Sequence, residues 1–198
     1  MTPVRIPRLP GHTPWMELAP RWADQHPTSA KAKFRLAHDG GGIVAEWRIE
    51  DDGIRGVEDN GGRTWEDSCA EIFIEPEPGK GYYNIECTCR GKLLMAFGTG
   101  RHGRAALDPA TVESVKRMTN LDGGEIPVSG NPTEWTLLMK IPAAAIGMDS
   151  LGGKAVRLNA YKCGDKLPRP HFLSLAPTGT ETPDYHRPES FVAAEFEP

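Results

Sequence analysis

The sequence predicts an all-β protein, an antiparallel β-sandwich of immunoglobulin-like or jelly-roll-like type with one or two short helices. Apolar and polar residues alternate in eight or nine short runs, as in strands that bury one face. The 22 glycines and 18 prolines of the 198-residue chain separate these runs as turns. Because helical periodicity is confined to short segments, a parallel α/β sheet is not expected.

The chain length favours one domain. We expect residues 31–198 to form a single sandwich. Residues 1–30 are rich in proline and are predicted to form an irregular arm that packs the rings of Trp15 and Trp22 on the sheet.

Two hairpins are the clearest features of the pattern. Alternating runs at 32–36 and 43–49 flank the glycine turn HDGGG. The runs WEDSCAEIFIEP and YYNIECTC flank the turn EPGKG. Further strands are predicted in KLLMAFG, EWTLLMKIP, AVRLNAYKC, HFLSLAP and FVAAEF.

One short helix is predicted between positions 107 and 121. Asp108 can cap it and Pro109 suits its first turn. Val112, Val115 and Met118 are spaced as one apolar stripe. A helical turn is also expected at PAAAIG.

The charge balance argues against nucleic acid as a partner. The net charge is -4 and the pI is about 5.9, so the chain has no excess of cationic groups for a phosphate backbone. No apolar stretch approaches the roughly 20 residues of a membrane span, so no membrane partner is expected. The first residues lack the apolar centre of a secretory signal, which favours a cytoplasmic location unless a leader was removed.

The four cysteines, at positions 69, 87, 89 and 163, fit neither a zinc motif nor a disulfide framework. We interpret them as free, mostly buried thiols. No metal ligand and no cofactor is assigned from the sequence.

The residues best suited to a functional site are those that could bind a polyhydroxylated ligand. Trp65 lies at the end of a glycine-rich loop, and an exposed ring there could stack on the C–H face of a sugar. Glu71, Asn84 and Glu86 fall on the polar sides of two neighbouring strands, where they could hold adjacent hydroxyls. The alternatives are that Trp65 covers the core and that the polar sides face solvent.

Two later segments add candidates. NAYKCGD contains Asn159 and Lys162, which could close the far side of a site, and PDYHRPE contains Tyr185 and His186. The alternative for His186 is a structural histidine bonded to backbone.

Catalysis is an alternative to binding. Glu71 and Glu86 could form the carboxylate pair of a glycosidase, but the chain is short for one and contains no other catalytic motif. GTGRHGR lacks the βαβ context of a phosphate loop. Arg101 and Arg104 are weaker candidates for ligand contact, because a mobile loop is expected there.

Six strings occur in a fixed order between about Phe34 and Phe196: TWEDSCAEIFIEP, YYNIECTCRG, EWTLLMKIP, RLNAYKCGD, PHFLSLAP and PDYHRPESF. In this combination the chain resembles the family 9 carbohydrate-binding modules. The resemblance implies a DOMON-like sandwich with a sugar slot between loops, an accessory role in carbohydrate catabolism, and no catalysis. It implies that Trp65 forms one wall of the slot, that Glu71 contacts hydroxyls, and that Asn84 and Glu86 occupy polar contact positions.

The chain departs from the family pattern at Leu175, where many relatives carry a second tryptophan. His171, Phe172 or Tyr185 could supply the missing ring, and a single aromatic wall implies weaker binding. Calcium, which some family members bind, is not assigned to the acidic loop DDGIRGVEDN because its ligand spacing is irregular.

Two alternatives to a sugar ligand remain. One is another polar small molecule. The other is haem, as in other DOMON-like domains, for which Met95 or Met139 with His171 or His186 could serve as axial ligands. Both methionines lie within alternating strands, which favours a place in the core.

Overall fold

The structure is a computed structural model that describes residues 2–198. These residues form fifteen strands, one α-helix (α1, Pro109–Ser114) and three short 3-10 helices at Thr64–Glu66, Ala143–Ile146 and Pro188–Ser190. The strands are β1 Val4–Ile6, β2 Met16–Arg21, β3 Lys31–His38, β4 Gly42–Asp51, β5 Ile54–Gly56, β6 Cys69–Glu75, β7 Tyr82–Thr88, β8 Leu93–Gly98, β9 Ala105–Ala106, β10 Lys116–Thr119, β11 Ile126–Ser129, β12 Thr133–Pro142, β13 Ala155–Cys163, β14 Phe172–Ser174 and β15 Val192–Phe196. The predicted mostly antiparallel β-sandwich with few helices is confirmed.

Thirteen of the strands form one curled sheet with two halves. The first half has the order β10-β12-β4-β3-β2, and the second has the order β14-β13-β6-β7-β8-β9. Strand β2 joins them, because it pairs with β3 through residues 16–18 and with β14 through residues 19–21. No helix of the described residues is long and apolar enough to cross a membrane.

The main core lies between the two halves. Phe34 and Trp47 from the first half stack with ring centroids 4.9 Å apart. They belong to the same buried cluster as Ile72 and Ile85 from the second half. Each of these residues occupies the apolar side of an alternating strand, as the sequence pattern predicts.

The N-terminal segment is more regular than the sequence predicts. Instead of an irregular arm, it contributes β1, which pairs in parallel with β15, and β2, which connects the two halves. The rings are packed as expected: Trp22 lies edge-on to Phe172, and Trp15 lies under the guanidinium of Arg35. Strand pairings between distant segments are not visible in local periodicity, which is why the regular structure was missed.

The predicted helix is shorter than its apolar stripe. Asp108 caps α1 as expected, since its carboxylate accepts a hydrogen bond from the Thr111 N–H at 3.0 Å. The helix ends at Ser114, and Met118 lies in β10 with 65% of its surface exposed. The prediction that Met118 belongs to the apolar stripe of the helix is therefore wrong. Met118 lies in β10 because this segment forms backbone hydrogen bonds with β12.

A charged cluster is buried between the halves of the sandwich. The Lys162 ammonium lies 3.0 Å from the carboxylate of Asp51, and His171 Nε2 lies 3.1 Å from it. The Trp135 indole N–H also donates to Asp51. Burial by itself would raise the pKa of Asp51, yet Lys162 and His171 lower it to about 2. The Asp51 carboxylate therefore stays ionised inside the protein.

We predict that Lys162→Met lowers the free energy of unfolding by about 3–5 kcal/mol, because it leaves the Asp51 carboxylate buried without its counter-charge. Urea denaturation measures the change. Lys31→Met is the control, since Lys31 pairs with Glu50 at the surface with side-chain exposures of 74% and 59%. It is expected to leave the denaturation midpoint unchanged. Equal effects of the two substitutions would contradict the assigned role of Lys162.

Candidate functional site

The polar side of the hairpin β6–β7 is buried and does not face solvent. Glu71, Asn84 and Glu86 are 2%, 2% and 4% exposed. Side chains from the segments 101–106 and 183–191 pack over this face. The interpretation of these residues as a solvated outer surface is therefore excluded.

Under these segments lies an open cavity of about 420 Å³. Trp65 stands on its wall with 37% of its surface exposed, so the ring is not a closed lid over the core. The cavity is lined by Trp65, Glu71, Phe73, Asn84, Glu86, Leu94, Ala96, Arg101, His102, Arg104, Ala106, Cys163, Asp165, Phe172, Pro183, Asp184, Tyr185 and His186.

The loop that carries Trp65 is held by Asp67. Its carboxylate accepts the backbone N–H groups of Val57 at 3.0 Å and Glu58 at 2.9 Å and pairs with Arg55 at 2.5 Å. On the other side, the Trp65 carbonyl accepts the N–H of Asp165 at 3.1 Å. The indole is thus positioned by a fixed backbone.

A hydrogen-bonded chain of planar groups crosses the cavity floor. Arg104 Nε donates to Asn84 Oδ1 at 2.9 Å, and Asn84 Nδ2 donates to Glu86 Oε1 at 2.7 Å. The hydroxyl of Thr64 donates to the second oxygen of Glu86 at 3.0 Å. The Arg104 guanidinium also lies 4.2 Å from the centroid of the Tyr82 ring. These contacts orient the polar groups before any ligand arrives.

The buried carboxyl groups hold their protons more tightly than usual. Glu71 and Glu86 are direct cross-strand partners. Burial raises the pKa of Glu86, and burial together with the neighbouring Glu86 raises the pKa of Glu71 well above its usual value. Burial also raises the pKa of Asp165 to about 6. A carboxyl that keeps its proton can donate a hydrogen bond as well as accept one.

His186 is the cavity histidine whose pKa departs from the usual value. Burial and the nearby Arg104 lower the pKa of His186 to about 4. Its Nδ1 lies 2.8 Å from the Tyr82 hydroxyl. The partner of this ring nitrogen is therefore a side chain, whereas the alternative given for His186 in the sequence analysis was a hydrogen bond to the backbone.

Six of the nine predicted site residues line the cavity: Trp65, Glu71, Asn84, Glu86, Arg101 and Tyr185. Three do not, which corrects their assignment. Asn159 is fully buried, where its side chain donates to the Ala176 carbonyl at 3.1 Å and accepts the Ala176 N–H at 3.0 Å. Lys162 and His171 point into the sandwich, because Lys162 alternates with the cavity-facing Cys163 along β13.

Aromatic rings other than Trp65 also reach the cavity. Phe172 and Tyr185 line the cavity. They are two of the three residues that we named as possible substitutes for the tryptophan that relatives carry at the position of Leu175. Leu175 packs against the main core instead. Met95 and Met139 are core residues with exposures of 2% and 0%, as their alternating pattern predicts.

Phe73 and Asp165 line the cavity but were not selected from the sequence as site residues. Phe73 follows Glu71 by two positions on the same strand, and this spacing could have identified it. Arg104, a weaker candidate in the sequence, is central to the network at the cavity floor. No local pattern indicates that its loop folds back on β7.

We predict that Glu71→Gln becomes increasingly stabilising relative to the wild type as the pH rises from 5 to 7. The folded protein retains the Glu71 proton above the ordinary carboxyl pKa of 4.5, whereas the unfolded chain releases it. The wild type therefore loses unfolding free energy with rising pH, by up to about 1.4 kcal/mol per pH unit. Gln has no such proton to lose.

The measurement is urea denaturation at several pH values with a chelator present. The exposed Glu77 provides the control, and Glu77→Gln should follow the wild-type pH dependence. A stability difference between Glu71→Gln and the wild type that does not vary with pH would contradict the raised pKa.

Comparison with known proteins agrees with this architecture. A candidate carbohydrate-binding protein from Bacteroides uniformis is 37% identical, with a TM-score of 0.88, and the match covers 92% of this chain and 86% of that chain. Two structures of a family 9 carbohydrate-binding module from Caldicellulosiruptor kristjanssonii are 11% identical and share the fold. The cellotriose complex has a TM-score of 0.64 and coverage of 99% and 94%, and the glucose complex has a TM-score of 0.59 and coverage of 98% and 95%.

A comparison with curated proteins finds no match. The model of carbohydrate-binding family 9 matches residues 15–196, which include every residue that lines the cavity. The chain therefore belongs to carbohydrate-binding family 9.

Proposed function

We propose that the protein binds a saccharide in the cavity beside Trp65 and releases it unchanged. The observation that carries this proposal is the shared position of an exposed indole and a buried group of hydrogen-bonding side chains around one open cavity. Sugars present both a C–H face and hydroxyl groups, so a site for them needs an aromatic ring and planar polar groups close together.

The protonation states of the site suit hydroxyl ligands. A sugar hydroxyl both donates and accepts, and it is best held by groups that can do the same. Glu71 supplies such a group because its pKa is raised by burial and by Glu86. Asp165, with a buried Oδ1 that has no hydrogen-bond partner among the described residues, is a further acceptor for a ligand hydroxyl.

The aromatic residues of the cavity favour a ligand with an aldose unit that stacks on Trp65. Phe172 and Tyr185 both line the cavity. Their rings pack edge-on to each other, with centroids 6.2 Å apart. These two rings add apolar surface to the cavity, in addition to the indole of Trp65. Relatives of the same fold were solved with glucose and cellotriose, which makes these two sugars the first probes.

Several contacts support binding without catalysis. Both oxygens of Glu86 accept hydrogen bonds from protein groups, Asn84 and Thr64. An oxygen of Glu71 accepts from the Cys163 thiol at 2.9 Å. A glycosidase needs two carboxyl groups on opposite sides of the scissile bond, whereas these two extend from one face of one sheet.

We predict that Trp65→Ala weakens saccharide binding by tenfold or more. Loss of a stacked ring removes the stabilisation from its buried apolar area and a further 0.5 to 1.5 kcal/mol of binding free energy, and the second contribution alone is about a 2- to 13-fold change in affinity. Isothermal titration calorimetry with glucose, cellotriose and a wider set of oligosaccharides measures the effect.

Trp15→Ala is the matched control, because Trp15 lies against Arg35 and Arg48 outside the cavity. It should leave the affinity unchanged. Equal affinities of Trp65→Ala and the wild type would rule out the stacking role. Failure of all saccharides to bind would reject the function and favour another polar small molecule.

A further inference from the structure

Two cysteines and a carboxylate meet at the cavity floor. Cys69 and Glu71 lie two positions apart on the same side of β6, and Cys163 is the direct partner of Cys69 on β13. One ligand atom from each, two sulfurs and an oxygen, lie within 4.8 Å of one another. Cys163 Sγ lies 2.9 Å from Glu71 Oε1.

This donor set has the chemistry of a zinc site. Thiolates select soft or borderline cations such as Zn²⁺, and a carboxylate completes many such sites. Zinc bonds are about 2.3 Å to sulfur and about 2.0–2.2 Å to oxygen. Atoms that already lie within 4.8 Å of one another can reach that geometry through small side-chain rotations.

A second observation points to a cation in the same cavity. Asp165 Oδ1 is buried and has no hydrogen-bond partner among the described residues, although its residue lines the same cavity. A buried carboxylate oxygen without a partner is costly. A cation bound in this cavity would offset that cost.

Another cluster of possible ligands serves as a contrast. Asp51, Asp52 and His171 also lie close enough to share an ion. There the Lys162 ammonium, 3.0 Å from Asp51, already supplies the positive charge. The Cys69–Glu71–Cys163 cluster has no cationic side chain within salt-bridge distance of Glu71 among the described residues.

We propose that Cys69, Glu71 and Cys163 form a binding site for a thiophilic divalent metal ion, with Zn²⁺ as the fitting ion. Binding replaces the two thiol protons and the Glu71 proton with the metal, and all three protons pass to solvent. The cavity gives the ion a path of entry, since Glu71 and Cys163 line it. Three protein ligands leave a further coordination position for a water molecule.

The sequence spacing predicted no zinc motif, because the two sulfurs come from strands that are distant in sequence. The four cysteines are free and buried, as predicted, but the pairing of β6 with β13 brings two of them together. The other two, Cys87 and Cys89, do not belong to this cluster and lie in the main core.

Binding should be strongly pH-dependent. Cysteine binds a metal as the thiolate, so protons compete with the metal for both sulfurs. Release of the two thiol protons by itself is expected to raise the apparent association constant about 100-fold per pH unit. A site made only of carboxylates would show a weak dependence near neutral pH.

The test is titration of the freshly reduced protein with Co²⁺ under nitrogen, without saccharide. We expect one ion per chain, a sulfur-to-cobalt charge-transfer band and the visible bands of tetrahedral Co²⁺, all displaced by Zn²⁺. Cys69→Ser and Cys163→Ser should each weaken or abolish the charge-transfer band. Cys87→Ser is the matched control, since Cys87 is equally buried but faces the main core, and it should retain the spectrum.

A wild-type titration without a charge-transfer band would overturn the proposal, whatever the variants do. A band that persists unchanged in both Cys69→Ser and Cys163→Ser would overturn it as well. Circular dichroism checks that the variants fold, and Zn²⁺ should raise the melting temperature of the wild type and of Cys87→Ser but not of Cys163→Ser. Because these titrations contain no sugar, their failure leaves the saccharide proposal to its own calorimetric test.

Discussion

Burial of both faces of the layer formed by β13, β6 and β7 is the constraint on which the rest of this structure depends. One face carries Ile72 and Ile85 into the main core. The other carries Glu71 and Glu86, which become buried because two loop segments fold over them. Since the alternation of a strand has a period of two, apolar packing on one side fixes which residues form the cavity floor on the other.

The protein stabilises its buried charges in two different ways. Between the halves of the sandwich, Asp51 is paired with Lys162 and remains ionised. On the cavity floor none of the residues 2–198 pairs with Glu71 as a counter-ion, and the pKa of Glu71 rises instead. The first arrangement stabilises the contact between the two halves, whereas the second leaves acids that can exchange hydrogen bonds or a proton with a ligand.

The cavity combines features of a family member with features of its own. Trp65 stands where the resemblance places one aromatic wall, but Leu175 packs on the core, and the additional rings at the cavity come from Phe172 and Tyr185. Arg104 reaches across from a neighbouring loop and orients Asn84. The same fold thus holds a site whose polar groups are already fixed by the protein's own hydrogen bonds.

Local pattern determined the strands, the face on which each residue lies, and the proximity of Glu71, Asn84 and Glu86, because alternation and hairpin turns are short-range properties. Only the tertiary structure decided which polar residues are ligand-accessible. Lys162 has the polar character of a site residue, yet it pairs with Asp51 inside the sandwich, and Arg104 enters the site from a loop without a strand pattern. Cys69 and Cys163 meet for the same reason: pairing between segments distant in sequence depends on the global energy of packing, which local periodicity does not record.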